Sequence, residues 1–343
     1  FWPPGPELRE NVKLNSRRGT RSDSFTTSMQ AMIGRWTSIR GRDQNRPLGK
    51  IAGEGMEAIS YEAPSELNGA IEILASVEGA RVLAGGTDLL IQLRSGAAPA
   101  PTLVAVKHIP ELVRVAFDDE GVSIGAAVSC AELREHPEIE QLFPGVYEAA
   151  ELIGSEQIQG RASLGGNLCN GSPAADTTPA LIAANARCVI AGPAGRRTVA
   201  CESFVTGPGE TVMAQGELLV EIWIPRPAAA TADSYLRLIP RTEMDIAVVG
   251  CGVNLTLEDG LCTAARVGLG AVAPTVLLVD EAAAALVGSR LEETAIKNAA
   301  EACESACNPI DDKRGTRNYR IKTAAVIARR ATEKALLRAR AKQ

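Results

Sequence analysis

The chain has 343 residues, of which 45% are hydrophobic and 22% charged, and its formal net charge is −5. This length allows one large domain or two to three smaller ones, with enough apolar residues for buried cores. The acidic balance argues against a nucleic-acid binder, which would need a basic surface. No apolar run reaches the roughly 18 residues of a transmembrane helix, and no secretory signal is expected at the start of the chain.

The eight cysteines are scattered through the predicted strands and helices, and none forms a CxxC pair. This spacing favours buried thiols in a reducing compartment over a disulfide framework, so we expect a cytoplasmic protein. Cys303 and Cys307 could share one face of a predicted helix, but two thiols alone make an incomplete metal site. We therefore expect no metal site in this chain.

Residues 1–55 differ in composition from the rest of the chain, because they are rich in Arg and Ser, poor in acidic residues and without clear periodicity. Two interpretations stay open: a flexible basic or transit-like arm, and residues that are not native, such as an over-extended start of the reading frame. Patterned sequence begins at Met56, a candidate for the natural start. We expect that removing the residues before Met56 leaves folding and ligand content intact, which a comparison of the two purified forms measures.

From Met56 onward, predicted strands and helices alternate, as is typical of an α/β fold. Helices are predicted from Ser65, from Asp88 and over residues 131–154 with a break at Pro144. The predicted strands are the segments EAISYEAP, ARVLAGGT, TLVAVKHI, VSIGAAVS, CVIAG and ELLVEIWIP. We therefore predict an α/β domain over residues 56–228.

The composition changes near residues 225–233, PRPAAATAD, which predicts a linker. The sequence after it predicts a β-hairpin with its turn at Glu258–Gly260. Alanine-rich helices are predicted at about 280–306 and 319–340. We therefore predict a C-terminal α+β domain over residues 229–343.

The first glycine loop, VLAGGTDLL, joins a predicted strand to a predicted helix. Gly85 and Gly86 lack a Cβ atom, so the backbone can approach a ligand closely, and the start of a helix attracts an anion such as pyrophosphate. Thr87 or Asp88 could also cap the helix. A plain strand–turn–helix without a ligand is the alternative, and the segment lacks the GxGxxG dinucleotide pattern.

The second glycine loop, RASLGGNLCNGSPAAD, covers residues 161–176 and lies between two predicted helices. Such a loop is costly to order unless something organises it. Asn167, Ser172 and Asp176 offer donors and acceptors for a polyhydroxylated ligand, although Asp176 could instead cap the helix that follows. Two glycine loops on an α/β scaffold favour one long ligand, such as a dinucleotide, that spans two subdomains.

The pairing of AGGTDLL with RASLGGNLCNGSPAADTTPAL resembles the FAD-binding (medium) subunits of the xanthine dehydrogenase and carbon monoxide dehydrogenase family, the molybdenum hydroxylases. The resemblance covers nearly the whole chain after Met56. It implies a two-subdomain α/β fold of the vanillyl-alcohol-oxidase (PCMH) type that holds FAD, followed by a CO-dehydrogenase-flavoprotein-type α+β domain. Further matching segments are IPEL, VSIGAAVS, SYLRLIPRTEMDIAVVG, VGLGAVAPT and DDKRGTRNYRIKTAAVIARRA.

The resemblance also implies which residues bind FAD. In relatives, the two glycine loops bind the diphosphate, which points to Leu83, Ala84, Gly85, Gly86, Thr87 and Asp88, and to Ser163, Gly165, Gly166 and Asn167. Asp176 is expected at the ribityl chain or nearby flavin atoms, Leu219 near the isoalloxazine ring, and Arg237 near the cofactor. Valine in place of Gly85 or Gly166 is expected to abolish FAD retention, because its bulk would fill the phosphate cradle.

Two departures from the family pattern leave local contacts open. Many relatives carry an Arg-Asn pair where this chain has Gln159-Gly160. Cys169 stands where relatives often have a small or aliphatic residue, and a small packed thiol is its expected role.

The resemblance implies an oxidoreductase that works as one part of a complex, a dimer of heterotrimers. A large partner would hold a molybdopterin-type molybdenum cofactor, and a small partner two 2Fe–2S clusters. FAD in this chain would pass electrons to NAD, a quinone or O2, so no catalytic acid or base is expected here. The alternatives are a stand-alone FAD-dependent oxidase and an assembly subunit without flavin.

Overall fold

Three hydrophobic cores organise the protein in a computed structural model that describes residues 59–97 and 100–343. All of these residues belong to one unit, Glu54–Gln343. The predictions made for residues 1–55 lie outside the described residues. Within the described part of the chain, no helix is both long and apolar enough to cross a bilayer.

The first core lies under a three-stranded parallel sheet of order β1-β3-β2. Parallel neighbours need crossover connections, and helices supply them here. Leu74 of the first helix and Val104 of the central strand are buried in this core. The elements are β1 (Ser60–Glu62), α1 (Leu67–Ser76), β2 (Arg81–Leu83), α2 (Leu89–Arg94) and β3 (Thr102–Ala105).

The second core lies between a five-stranded antiparallel sheet of order β4-β5-β10-β6-β7 and a group of short helices. The strands are β4 (Val115–Phe117), β5 (Gly121–Gly125), β6 (Arg187–Gly192), β7 (Gly195–Ala200) and β10 (Leu218–Pro225), with a separate pair β8 (Val205–Gly207) and β9 (Glu210–Thr211). The helices are α3 (Cys130–Arg134), α4 (Pro137–Leu142), α5 (Pro144–Glu151), α6 (Glu156–Gln159), α7 (Leu164–Cys169) and α8 (Thr177–Ala183).

The third core lies between a four-stranded antiparallel sheet and the C-terminal helices. The predicted hairpin turn is confirmed, since Glu258 ends one strand and Leu261 begins the next. The elements are β11 (Thr231–Leu238), β12 (Val249–Glu258), β13 (Leu261–Gly270), β14 (Leu277–Leu278), α9 (Asp280–Leu286), α10 (Glu293–Ala306) and α11 (Arg317–Arg340).

Four glycines share one face of the C-terminal sheet, and we call them the glycine square: Gly250, Gly252, Gly268 and Gly270. Three of them pack against Pro179 of α8, and Gly250 packs against Tyr235. They face each other in pairs across β12 and β13, Gly250 with Gly270 and Gly252 with Gly268. A Cβ atom at Gly252 or Gly268 would lie 2.5 or 2.3 Å from the carbonyl oxygen of Pro179 in α8. The backbone of α8 therefore rests directly on the sheet of the C-terminal domain.

A cluster of charged side chains joins α5 to the C-terminal domain. Glu148 pairs with Lys334, 2.7 Å away, and with Arg338, and its Oε2 accepts the backbone N–H of Tyr235 at 2.9 Å. Asp233 is fully buried beside them, and its Oδ1 accepts the Gly145 N–H at 3.0 Å. Among the described residues, its Oδ2 has no hydrogen-bond partner. Burial is the main reason that the pKa of Asp233 is raised to about 7, and Glu148 raises it further.

Asp233→Asn is expected to gain stability relative to the wild type as the pH rises from 4 to 8. The folded-state pKa of Asp233, about 7, exceeds the ordinary value of 3.8, so the folded protein binds the extra proton between these values and loses stability as the pH rises through them. The full loss amounts to about 4 kcal/mol. Urea unfolding at both pH values measures it, with the exposed turn variant Asp259→Asn as the control. An unchanged difference between wild type and Asp233→Asn would contradict this.

The structure confirms the predicted mixed fold class and corrects four local predictions. The predicted helix over 280–306 is interrupted between α9 and α10, where Gly288 and Leu291 adopt positive φ angles of 82° and 56°. The predicted linker near 225–233 is shorter, because β11 already begins at Thr231. Residues 161–176 contain the helix α7 rather than loop alone. The predicted break at Pro144 is found, since α5 begins there, but the helix predicted over 131–154 has a second break between α3 and α4, before Pro137.

Candidate functional site

The two glycine loops touch each other. A Cβ atom at Gly85 would lie only 1.9 Å from the carbonyl oxygen of Arg161, so the two backbones approach too closely for any other residue. Arg161 Nε donates to the Gly85 carbonyl at 3.4 Å, and Gln92 Nε2 donates to Asn170 Oδ1 at 2.8 Å. The loops therefore bring the first two subdomains together at one place.

A cleft of about 900 Å³ opens at this place. It lies within the range of roughly 300–1,000 Å³ that is typical of ligand pockets. Most of the predicted site residues line it: Ala84, Gly85, Gly86, Thr87, Asp88, Ser163, Gly165, Gly166, Asn167, Asp176 and Leu219. The other two lie beside the wall, where Leu83 packs next to Gly86 and Arg237 bonds to Asp176.

Helix α7 shapes the wall that the second loop contributes. The Ser163 side chain caps it by accepting the Gly166 N–H at 3.0 Å. A Cβ atom at Gly165 would lie 2.4 Å from the carbonyl oxygen of Ala126, so this glycine is required by backbone packing. At Gly166 a Cβ atom would meet only Ser163 Oγ, at 3.1 Å. Space for a ligand is therefore kept open at Gly166, whereas Gly165 serves the packing of α7.

Asp176 stands at the start of α8, and its carboxylate is held by β11 of the C-terminal domain. Tyr235 donates its hydroxyl to Oδ1 at 2.9 Å, and Arg237 Nη1 donates to Oδ2 at 2.6 Å. Burial raises the pKa of the Asp176 carboxyl, while the Arg237 charge and the Tyr235 hydrogen bond oppose that rise. The capping alternative for Asp176 is wrong, because this side chain makes no hydrogen bond to the helix backbone.

The capping expectation for the first loop is also wrong. Asp88 occupies the N-cap position of α2 but makes no side-chain hydrogen bond there. Asn167 lies at the cleft wall, and its Oδ1 accepts the Thr177 hydroxyl at 2.7 Å. This bond ties α7 to the start of α8.

The C-terminal domain supplies residues to the cleft that the sequence reasoning missed: Met244, Asp245, Ile246 and Arg314. Arg314 Nε donates to Asp245 Oδ1 at 2.9 Å, which holds the pKa of the Asp245 carboxyl below its usual value. Both positions lie in segments that carry the family resemblance, SYLRLIPRTEMDIAVVG and DDKRGTRNYRIKTAAVIARRA. The resemblance therefore covers these residues without giving them a role.

These features fit a long dinucleotide. The cleft runs between two subdomains and reaches the third, so one extended ligand can contact all three. The open space at Gly166 suits a diphosphate, because a side chain there would occupy the cleft. Leu219, on β10, is buried and adds an apolar wall suited to an aromatic ring.

Two family models match the sequence. One, described as the FAD binding domain in molybdopterin dehydrogenase, matches residues 57–227. The other, described as the CO dehydrogenase flavoprotein C-terminal domain, matches residues 234–335. Together they define the chain as a flavoprotein with both domains that the resemblance implies.

This chain aligns with nearly the whole length of several named relatives. The carbon monoxide dehydrogenase medium chain of Afipia carboxidovorans is 34% identical over 284 residues, which are 82% of this chain and 98% of that protein. A solved carbon monoxide dehydrogenase from Hydrogenophaga pseudoflava aligns with a TM-score of 0.80 at 33% identity, over 82% of this chain and 99% of that one. Quinoline 2-oxidoreductase from Pseudomonas putida aligns with a TM-score of 0.77 at 30% identity, over 83% of this chain and 99% of that one.

The chain belongs to the family of FAD-binding medium subunits of the molybdenum hydroxylases, which includes subunits of carbon monoxide and xanthine dehydrogenases. It is thus an oxidoreductase subunit with FAD as its cofactor. The predicted family, fold class and cofactor are confirmed. The individual FAD contacts and the domain boundaries stay predictions.

Proposed function

We propose that this chain is the electron-transfer subunit of a three-subunit molybdenum hydroxylase, assembled as a dimer of heterotrimers. It would hold the FAD that connects two 2Fe–2S clusters of a small partner with NAD, a quinone or O2 as acceptor. A large partner would carry the molybdenum cofactor and oxidise the organic substrate. The observation that carries the proposal is the meeting of two glycine loops in one cleft of about 900 Å³.

FAD supplies the redox chemistry, and the protein supplies binding, orientation and a suitable electrostatic environment. The residues of this chain fit those tasks. Gly166 and Asn167 line the part of the cleft proposed for the diphosphate. Leu219 excludes water from the ring, and the Asp176 carboxylate, held by two hydrogen bonds, offers an oriented acceptor to the ribityl hydroxyls.

The organic substrate belongs to the proposed large partner. Two structural relatives at similar identity are named for different substrates, carbon monoxide and quinoline. This supports a medium subunit that serves substrates bound elsewhere in the complex. The acceptor is proposed to reach FAD through the open mouth of the cleft, near Met244 and Ile246, which are both about half exposed.

We also propose a cytoplasmic location. All eight cysteines are free thiols, which supports a reducing compartment.

A tagged pull-down from the native host, assayed for molybdenum, iron and released flavin, tests this function. We expect molybdenum, about four iron atoms and one FAD for each copy of the chain, since two 2Fe–2S clusters hold four irons. The same pull-down under raised salt serves as the control for adventitious metal. If the complex stays intact in the host and the pull-down yields FAD without metals, the three-subunit hydroxylase is refuted. A stand-alone flavoprotein is then favoured.

A further inference from the structure

Tyr235 links the interior of the C-terminal domain to the proposed FAD site. Among the described residues it is the largest fully buried side chain, with 1% of its surface exposed. Its hydroxyl nevertheless ends at a polar group, Asp176, whose carboxylate lines the cleft. The sequence pointed to Arg237 on the same strand and assigned Tyr235 no role.

The surroundings of Tyr235 are built for this contact. A Cβ atom at Gly250, on the neighbouring strand β12, would lie 2.5 Å from the Tyr235 hydroxyl oxygen. The missing side chain at this corner of the glycine square therefore provides the slot that the hydroxyl occupies. At the other end, the Tyr235 backbone N–H donates to Glu148, which Lys334 and Arg338 hold in turn. Both ends of the residue are thus fixed.

We propose that Tyr235 is a positioning residue of the FAD site, which orients the Asp176 carboxylate and preserves its negative charge at the cleft wall. This inference rests on the proposed FAD site. Tyr235 itself does not line the cleft, so it acts on the ligand through Asp176.

The groups around Asp176 predict the direction in which the pKa of its carboxyl changes when the Tyr235 hydroxyl is removed. The groups that face its carboxylate are Tyr235 and Arg237, both on β11, and behind Tyr235 lies Cys251 of β12. Burial raises the pKa of Asp176, and the Tyr235 hydrogen bond opposes that rise. Removing the hydroxyl raises this pKa further, so the carboxyl is protonated up to a higher pH. An ionised carboxylate makes the stronger hydrogen bonds, so FAD should bind less tightly below the pKa.

Tyr235→Phe in the full chain tests this, because it keeps the ring and removes only the hydroxyl. FAD is titrated into the flavin-free protein between about pH 5 and 9, with flavin fluorescence as the readout. We expect the Kd for FAD to rise on the order of tenfold at the acidic end of this range and the midpoint of its pH dependence to move upward. Gly250→Ala, which displaces the hydroxyl, should move the midpoint in the same direction. Tyr319→Phe, at an exposed position on α11, should change neither.

Two outcomes would overturn the positioning role. One is a folded Tyr235→Phe or Gly250→Ala variant, verified by thermal melting, with wild-type affinity and an unshifted midpoint. The other is additivity, because a residue that acts through Asp176 should add no loss of affinity to Asp176→Asn in a double variant. Failure of the wild-type protein to bind FAD would instead refute the proposed function, with the fold intact.

Discussion

Gly166→Val is expected to abolish FAD retention while the flavin-free protein stays folded. A Cβ atom at this position meets only the capping hydroxyl of Ser163, so the valine side chain projects into the open cleft. A valine side chain in the proposed diphosphate site should displace that group and cost it hydrogen bonds, so FAD affinity should fall roughly 100-fold or more. Flavin content after desalting, together with a titration of the flavin-free protein, measures the loss.

Gly85→Val provides the contrast for this experiment. Both variants are expected to lose FAD, but for different reasons. A side chain at Gly85 would collide with the carbonyl group of Arg161, whereas one at Gly166 would enter the cleft. Valine there should separate the two loops and lower the melting temperature, whereas Gly166→Val should leave it within a few degrees of the wild type, about the effect of a disturbed helix cap. Gly160→Ala, where a Cβ atom has ordinary contacts at 3.6 Å, is the matched control. Full flavin content in Gly166→Val would sink the assignment of the diphosphate site.

The second large effect is expected at the glycine square. Gly268→Val should destabilise the protein by about 3 kcal/mol, although valine favours strands, because its Cβ atom would lie 2.3 Å from the carbonyl oxygen of Pro179. Helix α8 must then move off the sheet, and Asp176 moves with it. We therefore expect both a lower urea midpoint and a weaker affinity for FAD.

Ala264→Val is the control for that measurement. It adds the same β-branched bulk on the same strand β13, but at an exposed position, so its effect on stability should stay within about 0.5 kcal/mol. A wild-type urea midpoint for Gly268→Val would show that α8 can shift without cost. The direct seating of its backbone on the sheet would then be of no energetic importance.

The sequence predicted most of the fold because its strongest signals are local. Alternation of apolar residues, the turn at Asp259-Gly260 and the break at Pro144 all act within a few neighbours along the chain. Helix α7 escaped prediction because glycine disfavours helices. Here the cap by Ser163 and the packing of Gly165 against Ala126 outweigh that propensity.

The site was predictable in its loops and not in its connections. Glycine pairs mark the loops wherever they occur, but no local pattern says that Asp176 meets a strand about sixty residues later. Strand alternation does put Tyr235 on the same face as Arg237, so the sequence held half of the information. The other half is the long-range packing of α8 and Tyr235 against the glycine square, whose glycines locally predict only a weak strand.

The glycine square also bears on how such subunits can be recombined. The predicted domain boundary, between residues 228 and 229, lies just before β11, and a chimaera built from two relatives would naturally be cut there. The contact that matters for function lies elsewhere, because α8 from one parent must pack against the glycine backbone of β12 and β13 from the other. A chimaera should therefore inherit α8 together with the face of β12 and β13 beneath it, as one exchangeable unit.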